Sequence, residues 1–136
     1  MRAAGDQPFV HRVRVGYGDT DQGGVVHHAV YLRWLEEARV ELLRARGLNY
    51  RSVELDQKLA LPVVEAHLRY RNPARFDDEL RVETRIGALG PATIRFEYAI
   101  FCGEATICEA TVRLASVRLP EMRACRLPSL IRDALT

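Results

Sequence analysis

Near the N-terminus the spacing of apolar positions changes period once. In "FVHRVRVGY", residues 9–17, Val13, Val15 and Tyr17 alternate with Arg12, Arg14 and Gly16, the period of a half-buried strand. From His28 onward the apolar positions are Tyr31, Trp34, Leu35, Ala38, Leu42 and Ala45, one stripe at helical spacing, with Arg33, Glu36, Glu37 and Arg44 largely off it. Val40 interrupts the polar face and points to a further contact. Such a helix rises about 27 Å at 1.5 Å per residue. Arg44 and Arg46 followed by Gly47 make a good stop, because cations suit the negative end of the helix dipole and glycine tolerates the turn that follows.

Beyond this helix, "NYRSVELDQ" (49–57) predicts a short second helix. Period two then returns in "KLALPVVEAHLRYRNP", where Val64, Ala66, Leu68 and Tyr70 alternate with charged neighbours. It recurs in "DELRVETRIG" (78–87), "ATIRFEYAIF" (92–101) and "ATICEATVRLASVRL" (105–119), with turns at Gly90-Pro91 and Gly103-Glu104. Strands joined by short turns pair antiparallel. "PSLIRDALT" predicts a closing helical turn capped by Ser129. A strand, a long one-sided helix and four further strands make an α+β domain, because a curved sheet is the partner available to bury the stripe. Residues 9–136 are expected to form this single domain, with residues 1–8 a flexible N-terminus.

Composition narrows the class. With 136 residues, 48% hydrophobic and 28% charged, the chain can bury a sizeable core. No apolar run reaches the roughly 18 residues of a membrane helix, and "MRAAGDQPFVHR" has no apolar signal-peptide region, so a cytoplasmic protein is expected. Net charge is +2, and the arginines are scattered, which argues against nucleic acid as a partner. Cys102, Cys108 and Cys125 form no C-x-x-C spacing and are expected to pack as reduced apolar residues.

The candidate chemistry lies in "YGDTDQGGVVHHAVYLRW", residues 17–34. Asp19 and Asp21 follow a strand and precede a helix, and Gly23-Gly24 permits close approach to the main chain. The first amides of that helix, near His27 and His28, lack internal partners and carry the positive end of its dipole. Such amides can hold a carbonyl oxygen as it becomes negative, while a carboxylate attacks the carbonyl or deprotonates water. Together they suit hydrolysis of an activated acyl group. The plainer alternative is that both aspartates form turns and the glycines bend the chain. Asp19, Asp21, His27 and His28 match no standard metal spacing, and neither G-x-S-x-G nor a recognisable cysteine motif is present.

At these residues the chain resembles the hotdog-fold acyl-CoA thioesterases of the 4-hydroxybenzoyl-CoA thioesterase type, and looks most like the branch associated with the Tol–Pal system. The pattern carrying the resemblance is an aromatic residue, then D-x-D-x-x-G-x-V, then a helix start with Y-x-x-W. "LEEARVELLRARGL" and "YRNPARFDDELRVETRI" extend it, so that about residues 9–128 are covered. The resemblance implies a five-stranded antiparallel sheet wrapped around one long central helix, assembled into dimers or tetramers with sites at the dimer interface.

It also implies roles. Asp21 matches the catalytic carboxylate, as nucleophile or general base; the backbone N–H of His28 matches the group that polarises the thioester carbonyl; Asp19 is left to shape the turn. Tyr17, Gly24, Val25, Val26, His27 and Tyr31 are the implied substrate contacts, joined by Leu61 from the partner's strand around residues 61–65. The implied substrate is an acyl-CoA or acyl-carrier-protein thioester, with no cofactor beyond the coenzyme A it carries. Arg69, Arg71 and Arg75 are candidates for the phosphates. Enediyne-biosynthesis relatives carry a different residue at the position of Asp21. Two other readings stay open: a non-hydrolytic module that binds acyl thioesters, and an enoyl-thioester hydratase or dehydratase.

Overall fold

The computed structural model describes residues 7–136. The flexible N-terminus expected over 1–8 therefore falls, for residues 1–6, outside the described residues. The elements in chain order are β1 (Phe9–Arg14), a single 3-10 turn (Tyr17–Asp19), α1 (Val30–Ala45), α2 (Tyr50–Gln57), β2 (Leu59–Ala60), β3 (Val63–Tyr70), β4 (Glu79–Leu89), β5 (Thr93–Cys102), β6 (Ala105–Ala115), β7 (Val117–Arg118), β8 (Arg123–Ala124) and α3 (Ser129–Leu135). Five strands form one antiparallel sheet in the order β1-β4-β5-β6-β3. Two edges result, β1 and β3.

The period-two residues of the three inner strands put Leu80 and Val82, then Ile94, Phe96 and Ile100, then Val112 and Leu114 on one face, all essentially out of water. Tyr31, Trp34, Leu35, Ala38 and Leu42 of α1 close over them. Burying each large side chain of this kind stabilises the fold by roughly 1.5–3 kcal/mol. The stripe differs from its sequence reading at two places. Ala45 is exposed, because α1 ends there, and Leu43 and Arg39 are buried instead.

The described residues form three helices, the long α1 and two short ones. α2 is capped by Asn49, whose side chain accepts a hydrogen bond from the Ser52 N–H at 3.2 Å. α3 buries Ile131 and Leu135, but Ser129 is its first residue and the cap position is Pro128, without a side-chain bond. β1 is also shorter than its alternation suggested: Val15 is buried, whereas Tyr17 has left the strand and is exposed.

In β3 a bulge at Val64 sets two residues against one of β6, with Val63 opposite Leu114 and Glu65 opposite Arg113. Tyr70, Leu68, Ala66 and Val63 therefore share one side of β3, Leu68 half-buried and the others exposed, and Val64 loses the place that simple alternation gave it. A three-stranded ribbon, β2-β7-β8, buttresses the end of the sheet. Its two-residue strands are too short to show a period.

Candidate active site

The segment between β1 and α1 is built from local hydrogen bonds. Asp19 closes the 3-10 turn: its N–H donates to the Gly16 carbonyl at 3.1 Å, and its Oδ2 accepts from the Gly16 N–H at 2.9 Å. Its Oδ1 accepts from Arg33 Nη2 of α1 at 2.8 Å, and its carbonyl accepts from the His27 N–H at 2.9 Å. Burial pushes this carboxyl up, but the Arg33 bond and charge and the Gly16 N–H outweigh it and hold Asp19 below the ordinary aspartate value. Asp19 thus ties the loop to the helix, the shaping role expected of it.

Asp21 stands in a different environment. Thr20 and Val26 pair antiparallel, and the Asp21 N–H donates to the Val25 carbonyl at 2.9 Å, pinching off a tight loop. Gly24 takes φ +81° there, a conformation that favours glycine. The Gly23 N–H donates to Asp21 Oδ1 at 2.8 Å, so one carboxylate oxygen is held while the other has no partner among the described residues. The side chain is exposed to water. Across the loop, Val25 bridges Arg75 and the Val26 N–H donates to the Ala74 carbonyl at 2.9 Å, which fixes it to the segment before β4.

The helix begins two residues later than its apolar stripe suggested. His28 and Ala29 form a preceding turn, in which the Val30 N–H donates to the His27 carbonyl at 3.0 Å. A trans peptide points its C=O and N–H in opposite directions. Since the His27 carbonyl faces the helix, the N–H of the same peptide, that of His28, faces away from it. Among the described residues this N–H has no hydrogen-bond partner. No side chain caps α1, and the cap residue is Ala29. The next peptide is held too, because Tyr70 Oη donates to the His28 carbonyl at 3.0 Å. Burial raises the Tyr70 and Tyr31 phenols above their ordinary value, so both stay protonated at neutral pH.

These groups border one groove of about 380 Å³. Of the residues anticipated from sequence it brings together Asp21, Val25, Val26, His28 and Tyr31, and it adds Tyr70, Arg71, Asn72 and Pro73 from the end of β3. Tyr17 stands outside it, edge-on to Phe76. Gly24 acts through the backbone alone, and the His27 ring stacks on that of His28 while its Nδ1 accepts from the Ala29 N–H at 3.2 Å. Leu61 is buried in a separate groove. Of the three arginines only Arg71 reaches the site, where its Nε pairs with Glu109 at 2.7 Å. The YRNP segment was missed as site material because it reads as an ordinary strand end; its one cue is a proline that stops the strand and turns the chain towards the loop.

A larger cavity of about 580 Å³ is lined by Arg46 and Glu97 among others. Both are already engaged, Arg46 with the Ala134 carbonyl and Glu97 with Arg95. It places no unengaged carboxylate beside an unpaired amide, so the smaller groove holds the candidate chemistry. Among the described residues no group of three or more His, Cys, Asp or Glu could hold a metal ion.

A five-stranded antiparallel sheet thus lies against a long helix, and one groove at the start of that helix is bordered by both Asp21 and His28. The chain belongs to the thioesterase-like superfamily, whose family model matches residues 15–135. It is 38% identical over 129 residues to the acyl-CoA thioesterase YbgC of Haemophilus influenzae, covering 95% of both chains. It is 30% identical over 121 residues to a 1,4-dihydroxy-2-naphthoyl-CoA hydrolase of Prochlorococcus marinus, covering 84% of this chain and 80% of that protein. A solved structure from Thermus thermophilus superposes with a TM-score of 0.87 at 40% identity, covering 93% of this chain and 95% of that one.

Proposed function

We propose that this chain hydrolyses acyl-CoA thioesters to a carboxylate and free coenzyme A. The observation that carries the reading is the pairing, on one groove, of a half-free Asp21 carboxylate with the outward, unpartnered N–H of His28. The exposure of Asp21 favours the general-base route. Water gives a proton to the carboxylate as its oxygen attacks the thioester carbon, and the resulting oxyanion accepts a hydrogen bond from the His28 N–H. The C–S bond then breaks, and the thiolate recovers the proton from Asp21. The other route makes Asp21 the nucleophile, forming an anhydride. Oxygen-18 from solvent entering the enzyme carboxylate in a single turnover marks that route.

The hotdog arrangement, with α1 as the central helix, supplies the frame. A second copy is the natural partner of β3, which is exposed on its outer edge, with Val63 at 47% and Val64 at 51% exposure. Pairing there brings the partner's strand beside the groove. No described helix is long and apolar enough to cross a membrane, and we place the enzyme in the cytoplasm.

The test is thiol release across a panel of aliphatic and aromatic acyl-CoAs. Release that disappears in Asp21→Asn supports the reading; undiminished release by that variant overturns the assignment. Binding without release assigns an acyl-thioester module, and absorbance change of an enoyl-CoA without thiol assigns a hydratase. Turnover in His28→Ala, which keeps the amide, is expected to fall far less than in Asp21→Asn.

A further inference from the structure

Two turns beyond Tyr31, α1 carries a charge where a core helix would be expected to carry none. Arg39 is only 8% exposed. Its one ion pair among the described residues is with Glu36, at 3.7 Å, and that side chain is 66% exposed. A guanidinium keeps its charge and has five N–H donors to satisfy. A distant, water-screened carboxylate compensates such a buried charge poorly. Beside it on β5, the buried Tyr98 hydroxyl faces the Arg39 guanidinium, which is its polar neighbour there. Burial pushes that phenol up to about 12 and the Arg39 cation pulls the other way, so it remains a donor.

Arg39 borders a groove of about 250 Å³ whose remaining walls include Val40, Leu43, Tyr50, Leu61 and Leu114. The Tyr50 hydroxyl is engaged, accepting from the Leu61 N–H at 2.9 Å. Glu36, on the rim, is the other charged group lining it. The groove thus has apolar walls with one under-compensated cation on it. It lies on the same flank of the molecule as the Asp21 groove. Tyr70 lines the first groove, Val63 is paired with Leu114 of the second, and Leu68 and Ala66 lie between them on the same face of β3. Along α1, Tyr31 and Arg39 are about 12 Å apart at 1.5 Å per residue.

We propose that Arg39 binds a carboxylate at the far end of the acyl chain, so that the preferred substrates are half-acids, medium-length dicarboxylic acids joined to coenzyme A through one end. This rests on the hydrolase reading and specifies its substrate class. The apolar walls carry the methylenes, and the guanidinium forms the charge-assisted bonds that it lacks within the chain.

The experiment compares suberyl-CoA with octanoyl-CoA, which have the same number of carbons and differ at the far end. The native chain is expected to show the higher kcat/KM for suberyl-CoA. Arg39→Met is expected to lower the suberyl-to-octanoyl ratio by at least about tenfold, because a site built to bond a substrate group discriminates strongly for it. Glu36→Gln, a surface change that removes the competing carboxylate, is expected to raise the ratio and keeps the proposal testable if Arg39→Met does not fold. A purely structural Arg39 lowers both activities together and leaves the ratio unchanged. That result, or native preference for octanoyl-CoA, overturns the proposal while the hydrolase reading stands. If no thioester is cleaved, the hydrolase reading falls, and dissociation constants for the two compounds on Asp21→Asn decide: equal values overturn the carboxylate site as well.

Discussion

The two ends of α1 are finished in opposite ways. At the C-terminal end, Leu48 N–H donates to the Leu43 carbonyl and Gly47 N–H to that of Arg44, with Gly47 at φ +84°, so the exposed carbonyls are satisfied within a closed turn. At the N-terminal end no side chain caps the helix, and the amide of His28 is left facing a groove. A cap there would add roughly 0.5–2 kcal/mol of stability. The contrast separates a closed terminus from one that keeps an unpaired donor, the donor that the proposed reaction uses.

Changes at each end should therefore move different observables. Asp21→Asn is expected to reduce turnover about a hundredfold or more, the scale of a lost acid–base group, with thermal unfolding unchanged. A matching loss of stability would mean that the loop, and not its chemistry, depends on the carboxylate.

Asp19→Asn loses the Arg33 pair, and should cost about 1 kcal/mol, discounted because Arg33 is half exposed. Its pH dependence has a definite sign. The Asp19 carboxyl is held below its unfolded value of 3.8, so its contribution is fully present above that pH and disappears as pH falls through the lower folded value. Urea unfolding of the two proteins should differ at pH 7 and converge in acid; a difference that persists there would assign Asp19 a purely geometric role.

Gly47→Ala tests the closed end. Nothing lies within 4 Å of an added Cβ, so the strain of a positive φ is the main penalty, about 1 kcal/mol in chemical denaturation, with kcat retained. The smallest expected effect is at the open end: Tyr70→Phe removes the bond to the His28 carbonyl and should lower kcat about threefold, a fraction of a typical hydrogen bond. A change confined to KM would assign Tyr70 to substrate contact and not to positioning.

Much of this was legible in the chain. The switch from period two to the 31-34-35-38-42 stripe located α1 and the turns located β4 to β6, because each depends on neighbours within one element. Asp21 and His28 were readable as a pair because the loop and the helix start are contiguous. Tyr70 and Asn72 were not, since they reach the groove only when β3 pairs with β6. Tyr17 was placed in the site by resemblance, and the chain puts it outside the groove, against Phe76.

The sequence by itself determined that a long one-sided helix follows the loop, the alternation of the inner strands, and the juxtaposition of carboxylate and helix start, because those follow from local spacing and backbone preference. Only the tertiary structure decided that Arg39 lies inside while Ala45 lies outside, and that a bulge at Val64 shifts the register of β3 against β6. The physical reason is that burial and register are set by what packs across the sheet, and no stretch of residues carries that information alone.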